Sequence, residues 1–283
     1  MNIITGQKFQ NLCNHHLSIP MFMEFELYPS YKHIDVRNFD FVNFDNKEYI
    51  HINNDLINDL IPELEDIDMF DILSEFKNPF TLILHNNDSP FGDSELKYLD
   101  IPNCKKIYAQ NVTTYDNRVV PLPIGIANTC WDWGDLSVWK NQTNRFFNTK
   151  KDKFTYFYFE IEGGCRDVKR PDCYESISSQ GIKWIDKVDY KTYIKNLSKY
   201  QFQICPEGNG IDSFRTWESL YLKVIPIVDR SAMTEHFSKW FPMVLVDDWK
   251  EFDIESVRDT YEEYSWDNYY LLDFNNFCRK VGL

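Results

Sequence analysis

The sequence predicts an α/β protein made of two lobes that face each other across a cleft. Runs typical of buried strands alternate with helical spacing in the second half of the chain, which is the pattern of a parallel sheet covered by helices. The first half also mixes short apolar runs with helical stretches. The polar, charged segment 141–153 (NQTNRFFNTKKDK) separates the two halves. We therefore expect an N-terminal lobe over residues 1–145 and a C-terminal lobe over residues 146–283, with closing helices able to pack back on the first.

In the first lobe, the clearest strand is Phe80–Leu84, because Asn78-Pro79 precedes it and the polar loop Asn86-Asn87-Asp88 follows it. Apolar residues recur at helical spacing over residues 55–76, with an interruption at Pro62. Residues 106–110 and 119–124 are further short strand candidates. These elements predict an α/β lobe.

In the second lobe, strand and helix candidates follow one another in regular alternation. Pro226 predicts that the strand around it is short or lies near a sheet edge, because proline cannot donate a ladder hydrogen bond. Residues 256–278 are expected to form closing helices. The strand candidates are residues 154–159, 201–205, 224–228 and 243–246, and the helix candidates are residues 191–199 and 212–222.

Charge and composition exclude several classes of protein. Lys and Arg total 30 against 44 Asp and Glu, a net charge of −14, which disfavours binding to nucleic acid or to an anionic membrane. No apolar run approaches the roughly 18 residues of a membrane span, and the N-terminus lacks the apolar core of a signal peptide. The seven cysteines include no Cys-x-x-Cys pair, which predicts reduced thiols. We expect a soluble, cytoplasmic protein.

The most informative segment is residues 204–220 (ICPEGNGIDSFRTWESL), where a strand candidate ends, glycines turn the chain and a helix begins. Glycines let a ligand approach the backbone, a helix N-terminus suits a phosphate, and Arg215 adds a charge that can bind a diphosphate. Glu218 shares a helix face with Arg215 and could accept ribose hydroxyls. An ordinary turn with a surface ion pair explains the same residues. The pattern is neither a P-loop nor a dinucleotide fingerprint.

Three segments together resemble the exostosin-like glycosyltransferases, the family-47-type inverting sugar transferases. Residues 205–228 (CPEGNGIDSFRTWESLYLKVIPIV) are similar to the family's C-terminal signature, which joins a Gly-Asn-Gly loop, an arginine, an aromatic-Glu pair and an Ile-Pro-Ile-Val strand. Residues 120–128 (VPLPIGIAN) are similar to its Pro-Ile-Gly-Ile-Ala segment. Residues 82–88 (LILHNND) are similar to its N-lobe strand and polar loop.

The resemblance implies a GT-B fold, with two Rossmann-like lobes and the nucleotide sugar held mainly by the C-terminal lobe. It implies an inverting, metal-independent transfer of a sugar, with a UDP-sugar as donor and UDP-xylose as first candidate, to a glycan acceptor. Phe214 departs from the family, since many relatives carry His there, and this leaves the sugar preference open. The donor residues expected from the motif and its surroundings are Gly208, Asn209, Gly210, Asp212, Ser213, Arg215, Glu218, Arg166 and Arg170.

Catalysis of such a transfer needs positive charge for the departing diphosphate and a base for the acceptor hydroxyl. Arg215 is the first candidate for the charge, then Arg166 and Arg170, although either of the last two could be a solvated loop charge. Asp88 is the first candidate for the base, and an Asx-turn role explains it equally well. Further base candidates are His85, Asp93 and Glu24, and the acceptor candidates are His85, Asp88, Trp131 and Trp133.

No cofactor and no bound metal are expected. Asp66 and Asp68 resemble a metal-binding Asp-x-Asp, but they lie in an acidic helical stretch with no preceding strand. The expected partners are a nucleotide sugar and an oligosaccharide or glycoprotein glycan, with no nucleic acid. Trp131 and Trp133 could rim the acceptor cleft, and a place in the core explains them equally well. One alternative is a non-catalytic carbohydrate-binding protein that keeps the GT-B shell. A metal-dependent GT-A enzyme is another.

Overall fold

The computed structural model describes residues 1–18, 33–35, 48–52, 68–140, 149–161 and 169–283. The chain divides into two compact units, one formed by residues 5–124 and the other by residues 1–4 together with 125–283. The boundary predicted between residues 145 and 146 lies further along the chain than this division. The helix expected over residues 55–76 falls within the described residues only from residue 68 onward.

The unit of residues 5–124 contains a six-stranded sheet in which every recorded strand pair is parallel. Its strands lie in the order β2-β1-β3-β4-β5-β6. This is an extension of the 2-1-3-4-5 order of doubly wound proteins, in which ligands bind outside the carboxyl ends of the strands. The strands are β1 (His15–Ser18), β2 (His33–Asp35), β3 (Glu48–Ile52), β4 (Phe80–Leu84), β5 (Cys104–Ala109) and β6 (Val119–Pro121).

The strand predicted at Phe80–Leu84 is confirmed with its bounds, and its neighbours differ slightly from their predictions. β4 is a central strand, and Leu82 and Leu84 are fully buried in the core of this unit. β5 begins two residues before its predicted start at residue 106, and β6 ends at Pro121, before the predicted end at residue 124. In the described part of the unit, the helices are α1 (Gly6–Gln10), α2 (Met69–Ser74) and the 3₁₀ helix Ser94–Asp100.

The second unit contains a four-stranded parallel sheet in the order β10-β9-β8-β7. The parallel α/β arrangement predicted for this half of the chain is therefore confirmed. Its strands are β7 (Lys153–Tyr156), β8 (Tyr200–Cys205), β9 (Ile225–Asp229) and β10 (Val244–Val246).

Helices follow the strands of this sheet. Among the described residues of this unit, α3 (Ser137–Lys140) precedes β7, and the later α-helices are α4 (Arg170–Ser179), α5 (Tyr190–Leu197), α6 (Phe214–Tyr221), α7 (Ala232–Ser238) and α8 (Phe274–Val281). The closing helices expected over residues 256–278 are the short 3₁₀ helices Ile254–Val257, Tyr261–Glu263 and Tyr269–Leu272, followed by α8. The core on one sheet face includes Phe202, Ile204, Ile225 and Ile227.

Pro226 lies in β9, which has five residues and is next to the edge strand β10, in agreement with the expectation of a strand that is short or near a sheet edge. The reason it is tolerated is local. β10 pairs with β9 only from Ile227 onward, whereas Pro226 lies opposite Gln203 of β8. At Pro226 the strand therefore has a single neighbour, and the missing N–H need not interrupt a ladder.

The first four residues belong to the second unit because their backbone bonds to it. The Ile4 N–H donates to the Tyr221 hydroxyl at 2.7 Å, and that hydroxyl donates to the Leu272 carbonyl at 2.7 Å. The Ile4 carbonyl accepts from the Ile126 N–H at 2.9 Å. Gly125 sits directly against this carbonyl with φ +69°, and a Cβ at Gly125 would overlap it.

No helix among the described ranges is both long enough and apolar enough to cross a membrane.

We expect Gly125→Ala to destabilise the second unit more than Gly181→Ala does. Both glycines have positive φ, +69° and +80°, but a Cβ at Gly181 would meet nothing within 4 Å. Gly181→Ala should cost only the left-handed backbone strain of about 1–2 kcal/mol. Gly125→Ala adds the collision with the Ile4 carbonyl, for which a further loss of about 1–3 kcal/mol is expected. Equal urea midpoints for the two variants would contradict this description.

Candidate functional site

The loop of residues 206–213 connects β8 to α6 at the carboxyl end of the second sheet. The Gly208 N–H donates to the Gly210 carbonyl at 2.9 Å and closes a tight turn, whose tip, Asn209, is exposed. A Cβ at Gly208 would lie 3.1 Å from Arg170 Nη2. Glycine at position 208 therefore allows an arginine side chain to lie against the loop backbone.

Arg170, in the first turn of α4, is 8% exposed and holds the loop through its guanidinium. Its Nε donates to the Glu207 carbonyl at 2.9 Å and its Nη1 to the Glu160 carbonyl at 2.9 Å. Burial and the positive charge of Arg215 together lower the pKa of Arg170 to about 10, and the charge of Glu160 opposes them. Two guanidinium groups therefore repel each other beside one glycine loop.

Arg215, in the first turn of α6, contacts the same loop. Its Nη2 donates to the Pro206 carbonyl at 3.2 Å, and its guanidinium carbon lies 6.0 Å from the centre of the Phe159 ring. Its Nε is buried and has no hydrogen-bond partner among the described residues. A buried charged donor without an acceptor is costly, so this atom is suited to an anionic ligand.

Asp229, the last residue of β9, fixes the start of the loop and was not among the residues predicted. It is 2% exposed, its Oδ2 accepts from the Glu207 N–H at 2.8 Å, and its Oδ1 accepts from Trp249 Nε1 at 2.8 Å. Lys169 Nζ lies 3.5 Å from Oδ1. The only sequence signal for this role is an aspartate that ends a buried apolar strand.

Asp212 and Ser213, both predicted to contact the donor, are buried and engaged within the chain. The Asp212 carboxylate accepts from Trp217 Nε1 at 2.9 and 2.8 Å and from the Ser213 N–H at 2.9 Å. Ser213 is the N-cap residue of α6, as predicted for Asp212 or Ser213, yet its hydroxyl lies 3.3 Å from Thr216 Oγ1 and caps no first-turn N–H. These residues shape the helix start.

Glu218, predicted to accept ribose hydroxyls, is 4% exposed and already bonded to tyrosines. Its Oε2 accepts from the Tyr193 hydroxyl at 2.8 Å. Burial raises the pKa of Glu218, and the hydrogen bonds from Tyr193 and Tyr190 and the charge of Arg215 oppose the rise. A ribose would reach this carboxylate only by replacing a tyrosine hydroxyl, so its placement favours a role in joining α5 to α6.

His85, in the unit of residues 5–124, is fully buried at the end of β4. Its Nε2 donates to the Pro123 carbonyl at 3.0 Å, so its Nδ1 is the atom that accepts from the Asn86 N–H at 2.8 Å. Burial lowers the pKa of His85 to about 4, against which these two hydrogen bonds act. Because both ring nitrogens are hydrogen-bonded within the chain, the His85 imidazole fixes the loop after β4. This placement does not favour the predicted role in binding a glycan acceptor.

Asp88 and Asp93 are both exposed in the segment that follows β4, and Asp93 precedes the 3₁₀ helix Ser94–Asp100. Asp88 thus lies at the carboxyl end of β4, where a ligand-binding residue is expected in a parallel sheet.

Three further candidate residues, Arg166, Glu24 and Asp66, lie outside the described residues. Asp68 is the N-cap of α2, where its carboxylate accepts from the Phe70 N–H at 2.8 Å.

Trp131 and Trp133 form an exposed parallel stack in the second unit, which also contains the glycine loop. The indoles are 38% and 45% exposed, with ring centres 5.7 Å apart and planes 7° from parallel. A tight turn presents them, since the Trp131 N–H donates to the Asn128 carbonyl at 3.0 Å and the Gly134 N–H to the Trp131 carbonyl at 2.8 Å. Such a pair offers flat apolar faces to a ligand.

Within the described ranges, no group of three or more His, Cys, Asp or Glu residues is arranged to hold a metal ion. Six cysteines of these ranges, Cys13, Cys104, Cys130, Cys173, Cys205 and Cys278, are free thiols, in agreement with the predicted reduced state.

Comparison of the sequence with models of known protein families gives no match, and comparison with curated proteins gives none either.

The buried His85 predicts a pH-dependent contribution to stability. Its pKa lies at about 4 in the folded chain against 6.5 for an ordinary histidine, so between these values only the unfolded chain binds the proton. Stability from His85 is therefore complete above pH 6.5 and is lost as the pH falls toward 4.

We expect the difference in unfolding free energy between the wild type and His85→Gln to shrink by about 3 kcal/mol from pH 7 to pH 4. Urea unfolding of both proteins at several pH values measures this change. The other histidines are present in both proteins, so their contributions to the unfolding free energy cancel in the difference. A difference that stays constant with pH would show that His85 is not buried in its neutral form.

Proposed function

We propose that the protein is an inverting glycosyltransferase of GT-B type that uses a nucleoside-diphosphate sugar, with its two compact units as the two lobes. The observation that carries the proposal is the pair of guanidinium groups, Arg170 and Arg215, at the glycine loop of residues 206–210. One of them is 8% exposed, and the other has a buried Nε with no partner among the described residues. Each would gain from a bound diphosphate.

Three of the hydrogen bonds that these guanidinium groups donate go to neutral backbone carbonyls. Arg170 bonds the carbonyls of Glu160 and Glu207, and Arg215 bonds that of Pro206. A diphosphate would supply full negative charge and bidentate acceptors, which is the geometry that guanidinium groups bind best. The fixed loop would hold these donors in place before the charge develops, so little reorganisation is needed during the reaction.

In the proposed reaction, an acceptor hydroxyl oxygen bonds to the anomeric carbon of the donor sugar while the bond from that carbon to the diphosphate oxygen breaks. The bonding electrons leave with the diphosphate, whose added charge Arg215 and Arg170 stabilise. A base takes the hydroxyl proton, and we assign this role to Asp88 because it is an exposed carboxylate at the carboxyl end of β4. The residues assigned to this step belong to the chain itself, and no metal is invoked.

The donor is proposed to be a UDP-sugar, with UDP-xylose as the first candidate and a growing glycan as acceptor. Both assignments rest on the resemblance of residues 205–228 to exostosin-like transferases. Phe214, at the first position of α6, replaces the histidine of many relatives beside Arg215.

A non-catalytic carbohydrate-binding protein is a second candidate, and the stacked Trp131–Trp133 pair favours it. Exposed parallel indoles suit the apolar faces of sugar rings whether or not a reaction follows. The two candidates differ in what they require of the arginines, since a sugar-binding protein has no use for a diphosphate site.

A thermal-shift panel of UDP, GDP, CMP and several UDP-sugars tests the proposal on the wild type and on Arg215→Gln. A ligand at 100 times its Kd should stabilise the wild type by about 2.7 kcal/mol, in EDTA as well as in Mn²⁺. Arg215→Gln should lose most of this shift. Arg258→Gln is the matched control, because that guanidinium is exposed and pairs with Glu255.

No shift of the wild type with any nucleotide would overturn the transferase assignment. A shift without release of nucleoside diphosphate from any UDP-sugar in the presence of glycan acceptors would instead favour a binding protein. Similar melting temperatures of the unliganded proteins show that the Arg215→Gln chain is folded.

A further inference from the structure

Three amide side chains meet at the carboxyl edge of the sheet in the unit of residues 5–124. Asn86 follows β4, Gln110 follows β5 directly, and Gln10 is the last residue of α1. Gln10 and Gln110 are 0% and 1% exposed, while Asn86 is partly exposed. β4 and β5 are neighbouring parallel strands, so their carboxyl ends bring Asn86 and Gln110 to the same edge.

Asn86 lies between the two buried glutamines and donates to both. Its side-chain Nδ2 donates to Gln10 Oε1 at 2.8 Å, and its backbone N–H points to Gln110 Oε1 at 3.2 Å as well as to His85 Nδ1. Asn86 adopts φ 65°, which turns the chain sharply after the strand. Hydrogen bonds from Asn86 thereby hold the side-chain oxygens of both glutamines.

The amide nitrogens of both glutamines are buried without a hydrogen-bond partner among the described residues. Each NH₂ group carries two N–H donors, and a buried donor without an acceptor costs free energy. Turning the Gln110 amide over does not help, because its NH₂ would then face the Asn86 N–H, which can only donate. With the Gln10 oxygen bonded to Asn86 Nδ2, acceptor oxygens are therefore lacking at Gln10 Nε2 and at Gln110 Nε2.

The surroundings favour an uncharged oxygen-rich group over an anion. Gln10, Asn86 and Gln110 are neutral amides, and burial lowers the pKa of the adjoining His85 to about 4, so the imidazole carries no charge near neutral pH. Asp88, two residues beyond Asn86, adds negative charge to the same loop. Hydroxyl groups accept from amide N–H donors without the desolvation cost of an anion.

We propose that Gln10 and Gln110, held by Asn86, form a binding site for the hydroxyl groups of a saccharide. The site lies wholly in the unit of residues 5–124. The assignment of this site to the glycan acceptor rests on the proposed function. An ordered water has the same hydroxyl chemistry, and the two occupants are distinguished by whether the glutamines control saccharide binding.

The test uses the full chain without nucleotide on a printed array of oligosaccharides, followed by calorimetry with the oligosaccharide that binds best. Gln110→Met and Gln10→Met should each weaken its binding about tenfold, the effect of one lost hydrogen bond. Gln201→Met is the matched control and should bind as the wild type, since Gln201 lies on β8 in the other unit.

Folding is checked separately, because Met removes an unpaired buried donor. Gln110→Met should melt at a temperature no lower than the wild type, since the Asn86 N–H keeps its bond to His85 Nδ1. A lower melting temperature would show that the chain itself needs the Gln110 amide, and it would overturn the site.

Absence of binding by the wild type, or equal affinity in the wild type and both glutamine variants, would overturn the saccharide site and leave water as its occupant. If UDP still shifts the melting temperature in that case, the proposed function survives without this inference. Saccharide binding that depends on Gln110 in a chain that UDP does not stabilise would retain the site and overturn the proposed transferase.

Discussion

The candidate site depends on one electrostatic constraint, the placement of two like-charged guanidinium groups, one buried and one half-buried, against a single glycine loop. Removing an ion from water costs several kcal/mol even after the protein relaxes, whereas a hydrogen bond to a charged group returns about 1.5–3 kcal/mol. Arg170 donates to the carbonyls of Glu160 and Glu207, and Arg215 donates to that of Pro206. The two positive charges repel each other, and an anion bound beside them would offset this repulsion and would give the buried Arg215 Nε, which has no partner among the described residues, an acceptor.

The residues around the loop act as its support. Asp229 holds the Glu207 amide and Trp249, Asp212 holds Trp217, and Glu218 holds Tyr193. Each carboxylate is thus used to fix backbone or aromatic side chains, which leaves the guanidinium groups and the loop itself to contact a ligand. A binding loop fixed by such contacts loses little entropy when the ligand arrives.

Local sequence signals predicted much of this arrangement. β4 has its predicted bounds because polar, turn-forming residues flank five apolar or β-branched ones. The turn of residues 206–210 and the helix after it follow from glycines and an N-cap residue, and they placed Arg215 beside the loop. Residues 120–128 were noted only as a segment, and the reason for glycine at position 125, the Ile4 carbonyl, lies more than a hundred residues away in the chain.

Contacts between distant segments account for what the sequence did not predict. The strand expected over residues 154–159 ends at Tyr156, and Phe157 instead packs its ring 4.8 Å from that of Trp184. Gln10 and Gln110 carry no motif, and only the fold brings them to Asn86. Glu218 shares a helix face with Arg215 as predicted, but α5 covers it with tyrosines that no spacing rule relates to α6.

The most direct test of the arginine pair is the Nε–H resonance of Arg215 in the full-length protein, assigned by its loss in Arg215→Lys and followed during titration with UDP. We expect a saturable shift with UDP, none with uridine, which lacks the diphosphate, and none at the exposed Arg258. An Arg215 resonance that does not shift at millimolar UDP would contradict the claim that these guanidinium groups bind a diphosphate.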